Sequence, residues 1–184
     1  MLEETLQDKP KKCIYKIGKV LCIGSHATKP FITIGPQWPY SVCLGIIIIC
    51  LGCLFVGYLS LKTYFILNII GAALVPFCLL LFIITVLKDP GVISKNKDID
   101  EVMLNILKQD KHFCDKCLRI KDFKTVHCSE CCVCVSNYDH HCIVMGKCIG
   151  GGNIRYFYAF VFTGMIGVFY LFTVIICLII NTTD

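Results

Sequence analysis

Charged and apolar positions are unevenly spread along the 184-residue chain. Three stretches carry no charge at all: Phe31 to Leu61, Thr63 to Leu87 and Tyr156 to Thr183. Each exceeds the roughly 20 apolar residues that carry a helix across a bilayer core. The pattern predicts an α-helical integral membrane protein with three transmembrane helices, at 41–61, 63–87 and 156–180. Lys62 marks a very tight turn between the first two, and Pro76 is a candidate kink in the second. Trp38 and Tyr40 fall at interfacial depth. Residues 1–40 read as a basic arm with no convincing period. Lys88-Asp89-Pro90-Gly91 ends the second helix, because proline cannot extend it and glycine permits a turn. In the connector 88–111, Asp98 followed by Glu101 resembles a helix start. Ile99, Val102, Met103, Ile106 and Leu107 then form one apolar stripe, read as a short helix that packs on the Cys-rich domain, with the membrane surface as the alternative. No apolar region opens the chain, so a cleavable signal peptide is not expected.

Charge then sets orientation. Of the 18 Lys and Arg residues, six Lys precede Phe31, eleven fall between Lys88 and Arg155, and only Lys62 lies between the first two apolar stretches. Positive segments stay in the cytosol. The arm and the middle loop are therefore expected to be cytosolic, and 181–184 lumenal. The net charge of +5 suits a surface lying on anionic lipid. Nucleic acid is not an expected partner, since the basic residues are interleaved with acids and flanked by spans.

Cysteine usage changes the picture most. Eight of the 15 cysteines lie between Cys114 and Cys148, on the expected cytosolic side. Thiols stay reduced there, which favours metal binding or catalysis over disulfides. Residues 112–155 are too poor in apolar runs to build a core unaided, and such segments are held by metal. Two Cys-x2-Cys pairs, Cys114/Cys117 and Cys128/Cys131, each aim two sulfurs at one ion. His127, Cys134, His141 and Cys148 are available to complete two tetrahedra. Spacing alone does not say which ligand goes to which ion. Cys142 is left over beside His140, which can take up a thiol proton, and Asp139, which can orient that imidazole. The bland alternative makes Cys142 a ligand or an idle thiol.

Asp139-His140-His141-Cys142, within this cysteine pattern and between apolar spans, resembles the signature of the DHHC protein S-acyltransferases, or palmitoyltransferases. Asp89-Pro90-Gly91 resembles the short motif after that family's second span. Cys148-Ile149-Gly150 with Asn153 and Phe157 resembles its approach to the third. The resemblance implies that Cys142 takes a fatty acyl group such as palmitate from acyl-CoA as a thioester and passes it to cysteines of membrane-associated proteins. His140 would be the general base and Asp139 its partner. One structural zinc would be held by Cys114, Cys117, His127 and Cys134, the other by Cys128, Cys131, His141 and Cys148. Lys147 and Arg155 are candidate contacts for CoA phosphates, with ordinary positive-inside residues as the alternative. The expected location is an endomembrane (Golgi or endoplasmic reticulum) or the plasma membrane. This chain departs from the family pattern in having Ile143-Val144 where Pro-Trp is usual and Lys147 where Asn is usual. It also shows three apolar stretches where four spans are usual. The competing readings are a truncated zinc-binding scaffold of the same family, a chain completed by a second copy of itself, and a redox or zinc sensor.

Overall fold

The computed structural model describes residues 13–24, 30–55, 65–94 and 100–183. Three long helices occupy the apolar stretches. Helix α1 spans Trp38–Leu54, with Pro39 in its first turn, where a missing N–H costs nothing. Helix α2 spans Phe65–Leu87 and contains Pro76. Helix α4 spans Ile154–Thr183; a short helix, α3 (Glu101–Leu107), precedes it.

Among the described residues two segments, Phe65–Leu87 and Ile154–Ile180, are long and apolar enough to cross a membrane. At 1.5 Å per residue α2 is about 34 Å long, enough for a hydrocarbon core of about 30 Å. The described part of α1 has 17 residues. The rest of the first predicted span and the turn at Lys62 lie outside the described residues. Outward-facing Ile66, Ile69, Phe77, Phe162, Phe169 and Phe172 are exposed. Water would make so continuous an apolar surface unfavourable, and lipid would not. Helices α2 and α4 lock together where the Tyr170 hydroxyl donates to the Leu67 carbonyl at 2.6 Å, and its ring meets Phe55 edge-on.

Outside the helices the chain forms small sheets. The arm, whose sequence shows no convincing period, forms from Cys13 onward a three-stranded antiparallel sheet of β1 (Cys13–Ile17), β2 (Val20–Gly24) and β3 (Ile32–Ile34). Its strands are too short and too often interrupted for a clear period, yet β2 alternates: Val20, Cys22 and Gly24 are buried, and Ile23 is exposed. Gly18 at φ +58° makes the two-residue turn between β1 and β2. Val20 and Cys22 then pack against Cys128, Cys131, Val133, Val135 and Cys148 in one buried cluster.

The remaining elements are β4 (Val92–Ile93), α3 (Glu101–Leu107), β5 (Phe113–Cys114), β6 (Arg119–Ile120), β7 (Val126–Cys128), β8 (Val133–Val135), β9 (His140–Cys142) and β10 (Lys147–Ile149). Strands β4, β8 and β7 form one sheet, while β5–β6 and β9–β10 are hairpins. Asp100 caps α3 by accepting from the Met103 N–H at 2.7 Å. The apolar stripe on α3 does not pack as expected: Val102, Met103 and Ile106 are exposed. At the exit of α2, the Asp89 carboxylate accepts from the Val92 N–H at 3.0 Å and shapes the Asp89-Pro90-Gly91 turn.

Candidate metal centres and reactive cysteine

Two sets of side chains converge, and strand periodicity explains how. In each set a Cys-x2-Cys turn supplies two sulfurs and a cross-strand His/Cys pair supplies the other two donors. The turns are Cys114/Cys117 and Cys128/Cys131. The pairs are His127 opposite Cys134, on β7 and β8, and His141 opposite Cys148, on β9 and β10. The residue after each Cys-x2-Cys turn, Leu118 and Cys132, takes a left-handed backbone with φ of 50° and 56°, which curls the chain around the sulfurs. Successive strand residues face opposite ways. His127 and Cys128 are neighbours in sequence and so serve different clusters.

Within each set the donor atoms lie within 4.8 Å of one another. His127 Nδ1 is 3.5, 3.3 and 3.8 Å from the sulfurs of Cys114, Cys117 and Cys134. His141 Nδ1 is 3.5, 3.5 and 3.6 Å from those of Cys128, Cys131 and Cys148. A zinc tetrahedron with ordinary Zn–S and Zn–N bonds has an S···N edge of about 3.6 Å. Six buried sulfurs and two imidazoles at those separations fit metal ions and make a poor apolar core. Burial, helped by the charges of Lys116 and Lys121, lowers the pKa of His127, which favours the neutral imidazole a metal requires. Cys131 is lowered to about 6, first by its hydrogen bond with Cys148 and against the effect of burial. The same bond, with burial, raises Cys148.

The two imidazoles differ behind the donor atom. His141 Nε2 meets Gln37 Oε1 at 2.8 Å, a contact that fixes the tautomer in which Nδ1 is free to ligate. Gln37 occupies the N-cap position of α1 but makes no side-chain cap there; its amide is turned to His141 instead. His127 Nε2 is buried with no partner among the described residues.

Periodicity also sorts the residues around Cys142. His141 and Cys148 face one side of the β9–β10 hairpin. His140, Cys142, Lys147 and Ile149 face the other, with Lys147 opposite Cys142 and Ile149 opposite His140. That side lies over the helix ends. Cys142 is half-buried in a cluster with Leu44 and Ile48 of α1, Leu79, Phe82 and Val86 of α2, and Ile154, Phe157 and Phe160 of α4. Met145, at the tip of the hairpin, is buried in the same cluster, while Ile143 and Val144 beside it are exposed. His140 Nδ1 lies 3.0 Å from an oxygen of Asp139, and its ring packs edge-on against Phe157 at 5.2 Å. The fold thus places His140 and Cys142 on β9, with Asp139 immediately before it, at the end of the helix bundle.

Lys147 is placed otherwise than the phosphate expectation requires. It is 1% exposed, and its ammonium donates to the carbonyls of Val86 (2.7 Å), Lys88 (2.7 Å) and Thr33 (2.8 Å) and to the Thr33 hydroxyl (2.6 Å). Orphaned carbonyls at the end of α2 take the place of solvent around the cation. Burial pulls its pKa down to about 7, opposed first by the Asp89 charge, and four oxygen acceptors favour the charged form. Arg155 is exposed at the start of α4. Asn153, buried, accepts from the Gly150 N–H and donates to the carbonyls of Thr85 and Cys148. It thereby pins the exit of β10 to α2. Gln37 and Thr33 were absent from the sequence-based site, because nothing in the arm marks either as a partner of a residue more than a hundred positions away.

Comparison with known proteins agrees with this arrangement. The family model described as DHHC palmitoyltransferase matches residues 107–184. Palmitoyltransferase akr1 of Schizosaccharomyces pombe is 34% identical over 93 residues, covering 47% of this chain and 14% of that protein. Probable protein S-acyltransferase 7 of Arabidopsis thaliana is 28% identical over 162 residues, covering 72% of this chain and 37% of the relative. Human palmitoyltransferase ZDHHC18 is 32% identical over 127 residues, covering 56% and 33%. The chain therefore spans well under half the length of these relatives. The segment 107–184, which holds both Cys/His clusters and helix α4, is thus similar to the DHHC palmitoyltransferase domain.

Proposed function

We propose that the chain is a protein S-acyltransferase that carries a fatty acyl group on Cys142 between acyl-CoA and cysteines of membrane-associated proteins. The observation that carries this reading is the setting of Cys142. It shares a strand face with His140, which is paired to Asp139, and it packs against the buried apolar group of Phe82, Met145 and Ile149 on which side chains of three helices converge. A thiol at the boundary between a polar domain and an apolar bundle can meet a thioester whose acyl tail lies among helices and whose CoA stays in water.

In the first step His140 takes the Cys142 proton, and the thiolate attacks the thioester carbonyl. The carbon–sulfur bond to CoA breaks, and CoA leaves as its thiol with the proton from His140. In the second, a substrate cysteine gives its proton to His140 and attacks the acyl-enzyme, which restores the Cys142 thiol. Asp139 orients the imidazole and stabilises its cationic form. Each cluster would hold a zinc ion with four protein ligands and no open position. Metal so bound supplies rigidity to the segment that carries Cys142. Arg155, exposed at the start of α4, is the candidate contact for CoA phosphates.

The topology that goes with this function has α1 as a further span. The basic arm and Cys-rich domain would then be cytosolic in an endomembrane or the plasma membrane. Purified chain in vesicles, given a fatty acyl-CoA and a cysteine peptide, should release CoA thiol and acylate the peptide. His140→Ala should slow that transfer by about 100-fold or more. Transfer at the wild-type rate in that variant would remove His140 from the mechanism.

A further inference from the structure

We propose that Lys147 is a positioning residue for the acyl transfer, a buried cation that fixes the β9–β10 hairpin, and with it Cys142, over the ends of the helices. The inference rests on the acyl-carrier reading of Cys142 given above.

A lysine one residue from a metal-cluster cysteine would ordinarily extend into solvent. Here the ammonium is enclosed where three otherwise separate segments meet. Thr33 belongs to β3, Val86 and Lys88 to the exit of α2, and Lys147 itself to β10. An isolated bridge between Ile32 and Lys88 closes the same junction through the backbone. The carbonyls of Val86 and Lys88 are helix-end acceptors at the negative pole of α2, where a cation is favoured. All three ammonium protons have acceptors between 2.6 and 2.8 Å. Any slide of the hairpin leaves both a buried charge and buried carbonyls unpaired, so the register is strongly held.

Lys147 is also the cross-strand partner of Cys142, so the tether acts at the register of the thiol. A second grip lies on the other strand. The Gln37 amide holds His141, the residue before Cys142, and the Gln37 N–H donates to the Gly146 carbonyl at 3.2 Å. Gly146 turns at φ +71°, and a Cβ there would lie 2.7 Å from the Gln37 carbonyl oxygen. Residues 33–37, outside the part of the chain that the family model matches, thus clamp both strands of the hairpin. Misplacing a reacting group by about 1 Å costs on the order of 100-fold in rate. Such a tether is therefore visible in catalysis before it is visible in folding.

The test uses the full chain in detergent, with bound zinc measured and the rate of thioester label on Cys142 followed across acyl-CoA concentrations. Lys147→Met should keep its zinc and lower the saturating rate about 10- to 100-fold, with the half-saturating acyl-CoA concentration unchanged. Thr33→Val, which removes one of the four acceptors, should shift the rate the same way by less. An unchanged saturating rate in Lys147→Met overturns the proposal. So does a raised half-saturating concentration at an unchanged rate, which would restore a phosphate contact. Loss of zinc from Lys147→Met would make the residue a folding element and overturns it as well. A zinc-loaded wild type that takes no label overturns the acyl-carrier reading and this one together, and is recognised by the silence of both chains.

Discussion

At the scale of single residues, adjacent positions do different work because a strand turns them to opposite faces. His140 and His141 are neighbours, yet one sits beside Cys142 and the other beside three sulfurs. The outer nitrogens of the two candidate ligand histidines also differ. His141 is held by Gln37 at 2.8 Å, while His127 Nε2 has no partner among the described residues. Gln37→Ala should therefore weaken metal at the Cys128/Cys131/His141/Cys148 cluster by about 10- to 100-fold and leave the other cluster unchanged. Chelator competition on the two sites checks this, and equal weakening at both would show that Gln37 acts on the domain as a whole. Lys147 makes the same point in charge: the sequence places a cation beside a cysteine, and only the fold reveals four oxygens around it.

At the scale of elements, some features were legible and others not, for physical reasons. Charge-free runs of this length announce helices, because in lipid a helix alone satisfies its backbone groups within a single segment. The Cys-x2-Cys spacing announces a metal turn. The pairing of donors into two sets is not in the spacing, because it depends on which strands lie side by side. The sheet at β1 to β3 was hidden by strands of three to five residues, too short to display a period. The stripe on α3 shows the converse, an apolar pattern at helical spacing whose Val102 and Ile106 stay exposed. The β1–β2 turn seats itself on the metal turn, the Lys19 N–H donating to the Cys131 carbonyl at 2.9 Å. A Cβ on Gly18 would lie 2.6 Å from that carbonyl oxygen. Gly18→Ala should cost about 1–2 kcal/mol from the left-handed backbone alone, and more from the collision. A fall in the thermal midpoint checks it, and an unchanged midpoint would mean the arm does not dock in solution.

At the scale of the whole molecule, a polar domain held by two Cys/His clusters sits on the ends of apolar helices. Its second hairpin dips Met145 and Cys142 among them. The domain is stitched to the helices by polar contacts from several directions: Lys147 to α2, Asn153 to Thr85, Gln37 to His141. On the acyl-carrier reading, metal serves the fold and Cys142 serves the chemistry, so the two are separable. The decisive comparison is purified, zinc-loaded wild type beside Cys142→Ser, each incubated with a fatty acyl-CoA. Wild type should gain a hydroxylamine-sensitive acyl label, and Cys142→Ser should gain none while retaining the same zinc. Equal labelling of the two chains, or zinc lost with the cysteine, would place Cys142 outside the chemistry and contradict the acyl-carrier reading.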